Sequence, residues 1–223
     1  MSKLLIVANL KSYKNEIEAK NWLESFKKVN DLQLNPAEKE AVICPSFTQL
    51  FSFFSYFSSN NINGVALGAQ NLSPFDEGAF TGEVNAKQIK DFATYVLIGH
   101  SERRKNFSET EDMLANKVDM ALKYNLIPIF LVQGRETPIP QGVKIVAYEP
   151  VFAIGTGNPD TPESAEMTAG AIKASRGDLM VLYGGSVKSG NVKSFTDKPS
   201  IDGVLVGGAS LDAQEFIKII ENA

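Results

Sequence analysis

Short apolar runs recur along the chain at Leu4–Ala8, Ala41–Cys44, Val65–Ala69, Tyr95–Ile98, Ile127–Val132, Lys144–Tyr148, Met180–Tyr183 and Gly203–Val206. Each has the length of a buried strand rather than a helix. Between most of them the hydrophobic period changes to that of a helix. Glu16–Val29 carries Ile17, Trp22, Leu23 and Phe26 at helical spacing, and Leu50, Phe53, Phe54 and Phe57 fall at i, i+3, i+4, i+7. A weaker helix is predicted over Asn85–Phe92. Ser108 with Glu111 offers a capping box for a helix that lines up Leu114, Val118, Ala121 and Leu122. Thr161 and Pro162 start another, running to about Ser175, and Val192–Phe195 and Asp212–Ile220 complete the set.

Strands that alternate with helices make a parallel sheet, and right-handed crossovers leave an open doubly wound sheet or a closed barrel. Eight units in 223 residues favour the barrel, spread over 1–223 as one domain. One unit is incomplete. Arg135 to Val143 holds Pro138, Pro140 and Gly142, so no full helix fits between the fifth and sixth strands. Apolar barrel wall near those two strands should therefore be less covered than elsewhere. Polar and Gly-rich segments follow the strands, which in a barrel gathers them on one face, where active sites lie.

Composition narrows the chemistry. A net charge of −4 speaks against general nucleic-acid binding. One Cys and one His make a zinc site of the usual kind unexpected, and the lone Cys44 excludes an internal disulfide and fits a reducing compartment. The apolar run that precedes Asn9 is too short for a signal peptide or a membrane span, so a cytoplasmic location is expected.

The segment Tyr148-Glu-Pro-Val-Phe-Ala-Ile-Gly-Thr-Gly157 concentrates the candidate chemistry. Pro150 ends the sixth strand because it has no N–H to donate. Glu149 thus sits where strand becomes loop, either as a base facing a pocket or as a charge at a strand end. The polar stretch Gln70–Gly82 is long enough to be functional or an interface.

Seven segments, in order, resemble the signature stretches of the triosephosphate isomerase family. They are Asn9-Leu-Lys11, Ala69-Gln-Asn71, Gly78-Ala-Phe-Thr-Gly-Glu83, Ile98-Gly-His-Ser-Glu-Arg-Arg104, Ala147-Tyr-Glu-Pro-Val-Phe-Ala-Ile-Gly-Thr-Gly157, Tyr183-Gly-Gly-Ser186 and Asp202-Gly-Val-Leu-Val-Gly-Gly-Ala-Ser-Leu211. The His-Ser-Glu-Arg-Arg and Tyr-Glu-Pro-Val stretches together are specific; the diglycines alone are not.

The resemblance implies a (β/α)8 barrel that interconverts dihydroxyacetone phosphate and glyceraldehyde 3-phosphate without metal or cofactor. It implies Glu149 as the carbon base, His100 as the electrophile at the carbonyl, and Lys11 as the cation that stabilises the enediolate and draws in substrate. Asn9, Gly155, Ser186, Gly207 and Gly208 match the family's substrate and phosphate contacts. Ser101 and Glu102 match supporting residues, and Tyr183 with Ser186 matches the latch of a lid. Thr81 matches a loop tip inserted into a partner subunit, so a homodimer is implied.

The chain departs from the family in its fifth unit, where Leu131-Val-Gln-Gly-Arg-Glu136 replaces the usual Cys-containing stretch. In the lid, Phe152 stands where Trp is usual, and Asn158-Pro159-Asp160 makes an unusual second hinge. A catalytically silent phosphate-binding barrel is the alternative that these departures leave open.

Overall fold

The computed structural model describes residues 3–150 and 159–223. The strands β1 (Leu4–Asn9), β2 (Lys39–Cys44), β3 (Val65–Ala69), β4 (Tyr95–Ile98), β5 (Ile127–Val132), β6 (Ile145–Tyr148), β7 (Met180–Tyr183) and β8 (Gly203–Val206) pair in sequence order. The closing pair, β1 with β8, is parallel like the rest and runs from Leu5 against Gly203 to Ala8 against Val206. Helices α1 (Glu16–Phe26), α2 (Phe47–Asn60), α3 (Ala86–Ile89), α4 (Ser101–Asn106), α5 (Glu111–Lys123), α6 (Pro162–Ser175), α7 (Val192–Thr196) and α8 (Ala213–Asn222) accompany the barrel.

Strand alternation divides the core in two. Leu5, Val7, Val42, Leu97, Ile129 and Leu205 belong to a cluster that fills the barrel. Ile6, Ile43, Val96, Phe130 and Val146 face outward and pack in a second cluster with Trp22, Phe53, Leu114 and Phe216 from the helices. Trp22 and Phe26 stack with ring centroids 4.7 Å apart, joining α1 to the aromatic face of α2.

The same parity organises the mouth. Continuing the inward positions past the strand ends gives Asn9 and Lys11 after Leu5 and Val7, Gln70 after Ala66 and Gly68, and Glu149 after Ile145 and Ala147. Polar side chains therefore occupy the last inward layer because the strands put them there.

Several expectations need correction. The helix predicted over Glu16–Val29 ends at Phe26 and tightens into a 3₁₀ segment, Lys27–Leu32. Ile17 is 71% exposed and belongs to the opposite face from Trp22 and Leu23. On α2, Phe54 is 38% exposed and meets Phe92 edge-on at 5.6 Å instead of entering the core with Leu50, Phe53 and Phe57. The weaker helix shrinks to Ala86–Ile89, where Asn85 and Gln88 form a capping box. Ser108 does not cap α5; Thr110 lies directly before the helix and accepts from Met113 N–H, while Ser108 is left-handed at φ 52°. Leu122 lies largely outside the core, unlike its neighbours Leu114, Val118 and Ala121. The stretch after β4, for which the sequence pattern predicts no helix, contains the short helix α4.

Residues 133–143 form turns without a helix, as expected. The barrel wall there is nonetheless closed, since Phe130, Val132, Val146 and Val143 are all buried. Arg176, just past α6, donates to Pro140 O (2.9 Å) and Val143 O (3.0 Å) and so clamps this segment across the wall.

Candidate active site

The carboxylate of Glu149 is 3% exposed and His100 6%, although both lie at the open end of the barrel. Glu149 reaches that position by strand parity. His100 does not, because β4 would carry it outward after Val96 and Ile98. Gly99, at φ +80°, reverses the chain between β4 and α4, a conformation that costs a residue with a Cβ substantially more. The imidazole then turns inward as the cap of α4, with Nδ1 accepting Glu102 N–H at 3.2 Å. A neutral ring so held carries its proton on Nε2. That atom is 3.1 Å from Glu149 Oε1, and Ser101 N–H donates to Glu149 Oε2 at 3.2 Å.

Burial pushes the Glu149 carboxyl above the ordinary glutamate range. His100, the Ser101 N–H and hydroxyl, and Lys11 oppose that shift without cancelling it. A carboxylate that takes up a proton more readily than usual, beside a donor on Nε2, can act as a base toward a carbon acid.

Lys11 approaches from β1. Its backbone is left-handed at φ 52°, which is unfavourable for a lysine, and three bonds hold it. Lys11 N–H donates to Asn9 Oδ1 (3.0 Å), Gln70 Nε2–H donates to both Lys11 O and Cys44 O (2.9 Å each), and Lys11 Nζ pairs with Glu102 at 2.5 Å. Glu102 thus pairs with a cation at the mouth of the barrel.

A cavity of about 360 Å³ brings Asn9, Lys11, His100 and Glu149 together with Ser186, Gly207 and Gly208. Gly208 opens a 3₁₀ turn, Gly208–Leu211, whose first N–H groups have no partner within the turn. Ser210 fixes it by donating its hydroxyl to Gly207 O at 2.7 Å, and Trp22 Nε1–H donates to Ser210 O at 3.0 Å. Tyr183 lies below, its hydroxyl accepting Asp160 N–H at 2.8 Å. Gly155, Phe152 and Asn158 lie outside the described residues. Thr81 stands apart from the cavity, on the loop that also carries the stacked pair Phe75 and Phe80.

Three contributors carried no assigned role in the sequence. Gln70 is inward by parity, so counting from Ala66 finds it. Gly184 also follows parity, from Leu182, and a Cβ there would meet Glu149 Cγ at 3.0 Å. Asn191 had no such signal, because its partners are set by the path of the loop after β7.

Fold and mouth together define a (β/α)8 barrel with a buried carboxylate–imidazole pair at the C-terminal ends of its strands. Residues 4–223 match the family model for triosephosphate isomerase, and the chain belongs to that family. It is 39% identical to the triosephosphate isomerase of Mesomycoplasma hyopneumoniae strain 232, over 99% of this chain and all of that one. The enzyme of the same name from Dictyoglomus turgidum is also 39% identical, with both chains fully covered. The crystal structure of triosephosphate isomerase from Bartonella henselae superposes with a TM-score of 0.82 at 27% identity, covering 99% and 98% of the two chains.

Proposed function

We propose that this chain, as a single barrel over 1–223, interconverts dihydroxyacetone phosphate and D-glyceraldehyde 3-phosphate, a step shared by glycolysis and gluconeogenesis. The observation that carries the reading is the 3.1 Å approach of His100 Nε2 to the buried carboxylate of Glu149, in the cavity that Lys11 also enters. Glu149 takes the proton from one carbon and returns it to its neighbour. His100 Nε2–H polarises the carbonyl and passes a proton between the two oxygens. Lys11 offsets the negative charge of the enediolate. A substrate oxygen that takes the Nε2–H releases Glu149 Oε1 toward the carbon, while Ser101 N–H still holds Oε2. Ser186, Gly207, Gly208 and, in the segment outside the described residues, Gly155 bind the phosphate through backbone N–H groups. Asn9 supports Lys11, and Tyr183 anchors the far hinge through Asp160.

A homodimer is part of the same reading. The loop after β3 is held in shape without a helix or strand: Asp76 binds Lys123 and Tyr124, and Ser73 N–H donates to Val84 O at 2.8 Å. It leaves Phe75 and Phe80 exposed beside Thr81, which suits insertion into a second copy. No helix among the described residues is long and apolar enough to cross a membrane. A single, buried Cys44 suits a reducing compartment such as the cytoplasm.

A coupled turnover assay on purified protein tests the activity, since a silent phosphate-binding barrel would bind phosphorylated ligand and turn nothing over. Shortening the base with Glu149→Asp misplaces the carboxylate by about 1 Å and should cost on the order of 10²-fold in turnover. His100→Gln should cost roughly 10²–10³-fold, as for other lost oxyanion donors. Near-normal rates in either variant would refute the assignment.

A further inference from the structure

The loop after β7 contains a contact that none of the roles above explains. Ser186 lines the cavity with a left-handed backbone at φ 44°. A serine pays for that conformation, so surrounding groups must impose it. The carboxamide of Asn191, five residues on, is placed to do so. Its Nδ2–H donates to Ser186 O at 3.2 Å, and its Oδ1 accepts Lys188 N–H at 2.8 Å. One planar group thereby spans the loop and fixes the peptide that joins Ser186 to Val187. The far side of the loop is tied to α8, where Glu215 accepts Ser189 N–H at 2.8 Å and Asn222 Nδ2–H donates to Ser189 O at 3.0 Å. Asn191 makes no side-chain cap for α7, although it occupies the cap position. Its side chain is committed to the loop instead.

We infer that Asn191 is a positioning residue for the phosphate end of the site, acting by holding the Ser186–Val187 peptide so that its carbonyl oxygen is engaged away from the bound anion. The reason is electrostatic. A peptide plane carries a donor and an acceptor that point in opposite directions. At the edge of an anion site, a carbonyl free to rotate inward would put partial negative charge against the phosphate. Asn191 occupies that carbonyl and also blocks the rotation through Lys188 N–H. This inference rests on the phosphate reading of Ser186 given above and adds to it the group that enforces it. Asn191 does not line the cavity, so its effect is transmitted through its two bonded neighbours Ser186 and Lys188, which do.

Asn191→Ala and Asn191→Asp test this with three readouts. Asp keeps the acceptor for Lys188 N–H, removes the donor to Ser186 O and sets a carboxylate against that carbonyl. For glyceraldehyde 3-phosphate, KM should rise about tenfold in both variants with kcat within about threefold, the pattern of lost uniform binding. Inhibition by inorganic phosphate should weaken by a similar factor. Turnover of glyceraldehyde, the same carbon skeleton without the phosphate, should be unchanged from the parent protein. Unaltered KM and phosphate inhibition in both variants would overturn the inference. So would an equal loss on glyceraldehyde, or failure of both variants to fold, either of which makes Asn191 a general structural residue. A parent protein with no activity on the triose phosphate would sink the proposed function itself, an outcome distinct from these.

Discussion

A methyl group at position 184 should slow the reaction by displacing the base, without replacing any group that reacts. Gly184 lies against the base: an added Cβ would sit 3.0 Å from Glu149 Cγ, 3.3 Å from Tyr148 O and 3.7 Å from Leu205 Cβ. Ordinary carbon contacts are about 3.5–4.0 Å, so in Gly184→Ala something must give by about 0.5 Å. Tyr148 O cannot move readily, because it accepts Gly184 N–H at 2.8 Å within the β6–β7 pairing. The displacement therefore falls on the Glu149 side chain. A misplacement of about 1 Å at a reacting group costs roughly 10²-fold, so half of that should cost about tenfold in kcat, or about 1.4 kcal/mol. KM should stay near the parent value, because Ser186, Gly207 and Gly208 are not in the path of the new methyl. Overpacking of this kind also costs about 1–3 kcal/mol of stability, which lowers Tm by about 2–12 °C in a chain of this size. Steady-state kinetics beside a thermal melt separate the two effects. A variant with kcat within twofold of the parent, or one whose loss lies in KM, would show that the glycine is not there to admit the base.

Burial of Glu149 gives a stability prediction with a definite sign. Its folded pKa is raised above the ordinary 4.5, so the folded state holds the proton more tightly than the unfolded chain. Stability is then lost as pH rises through that interval. Glu149→Gln should raise Tm at pH 7–8, and the gain should disappear below about pH 4.5 in melts recorded against pH; a gain independent of pH would contradict the burial argument. For the same reason the acid limb of kcat/KM should fall above the usual carboxylate range, and a limb at an ordinary glutamate value would count against Glu149 as the base. Thr81→Arg should shift the proposed dimer toward monomer in analytical ultracentrifugation and lower activity with it; a fully active monomeric parent at micromolar concentration would remove the dimer reading.

Strand positions and the closed barrel were legible because eight short apolar runs of strand length alternate with mostly helical segments, and a parallel sheet admits few ways to connect them. The missing helix was legible from Pro138, Pro140 and Gly142. What failed to show was short or competitive. Helix α4 is six polar residues, too few for a hydrophobic period to register. Ser108 and Thr110 both offer a capping hydroxyl two residues apart, and only the register of α5 on the core selects Thr110. Ile17 shares the spacing of a buried residue yet faces solvent, because the buried stripe of α1 runs through Ala19, Trp22, Leu23 and Phe26. At the site, Glu149, Lys11 and Gln70 follow from counting along strands, whereas His100 needs the reversal at Gly99. Asn191 could not be found by counting, since its role lies in the closure of a loop.

The incomplete fifth unit shows how separable the two tasks of this barrel are. Outward-facing side chains of β5 and β6 need cover, and any apolar segment with its backbone polar groups satisfied can supply it. Residues 133–143 do so as turns and irregular chain, with Val143 buried against the wall and Arg176 bonding the carbonyls of Pro140 and Val143. The mouth has a stricter requirement, because a displacement well under 1 Å there already changes a rate. Its cavity draws on the ends of β1, β4, β6, β7 and β8 but not β5, whose next inward residue, Gln133, is exposed and bonds through its N–H to Thr137 Oγ1 at 3.1 Å. Shortening the chain after β5 therefore removes cover that can be replaced locally and leaves every strand that aims a side chain at the cavity with its own following segment intact.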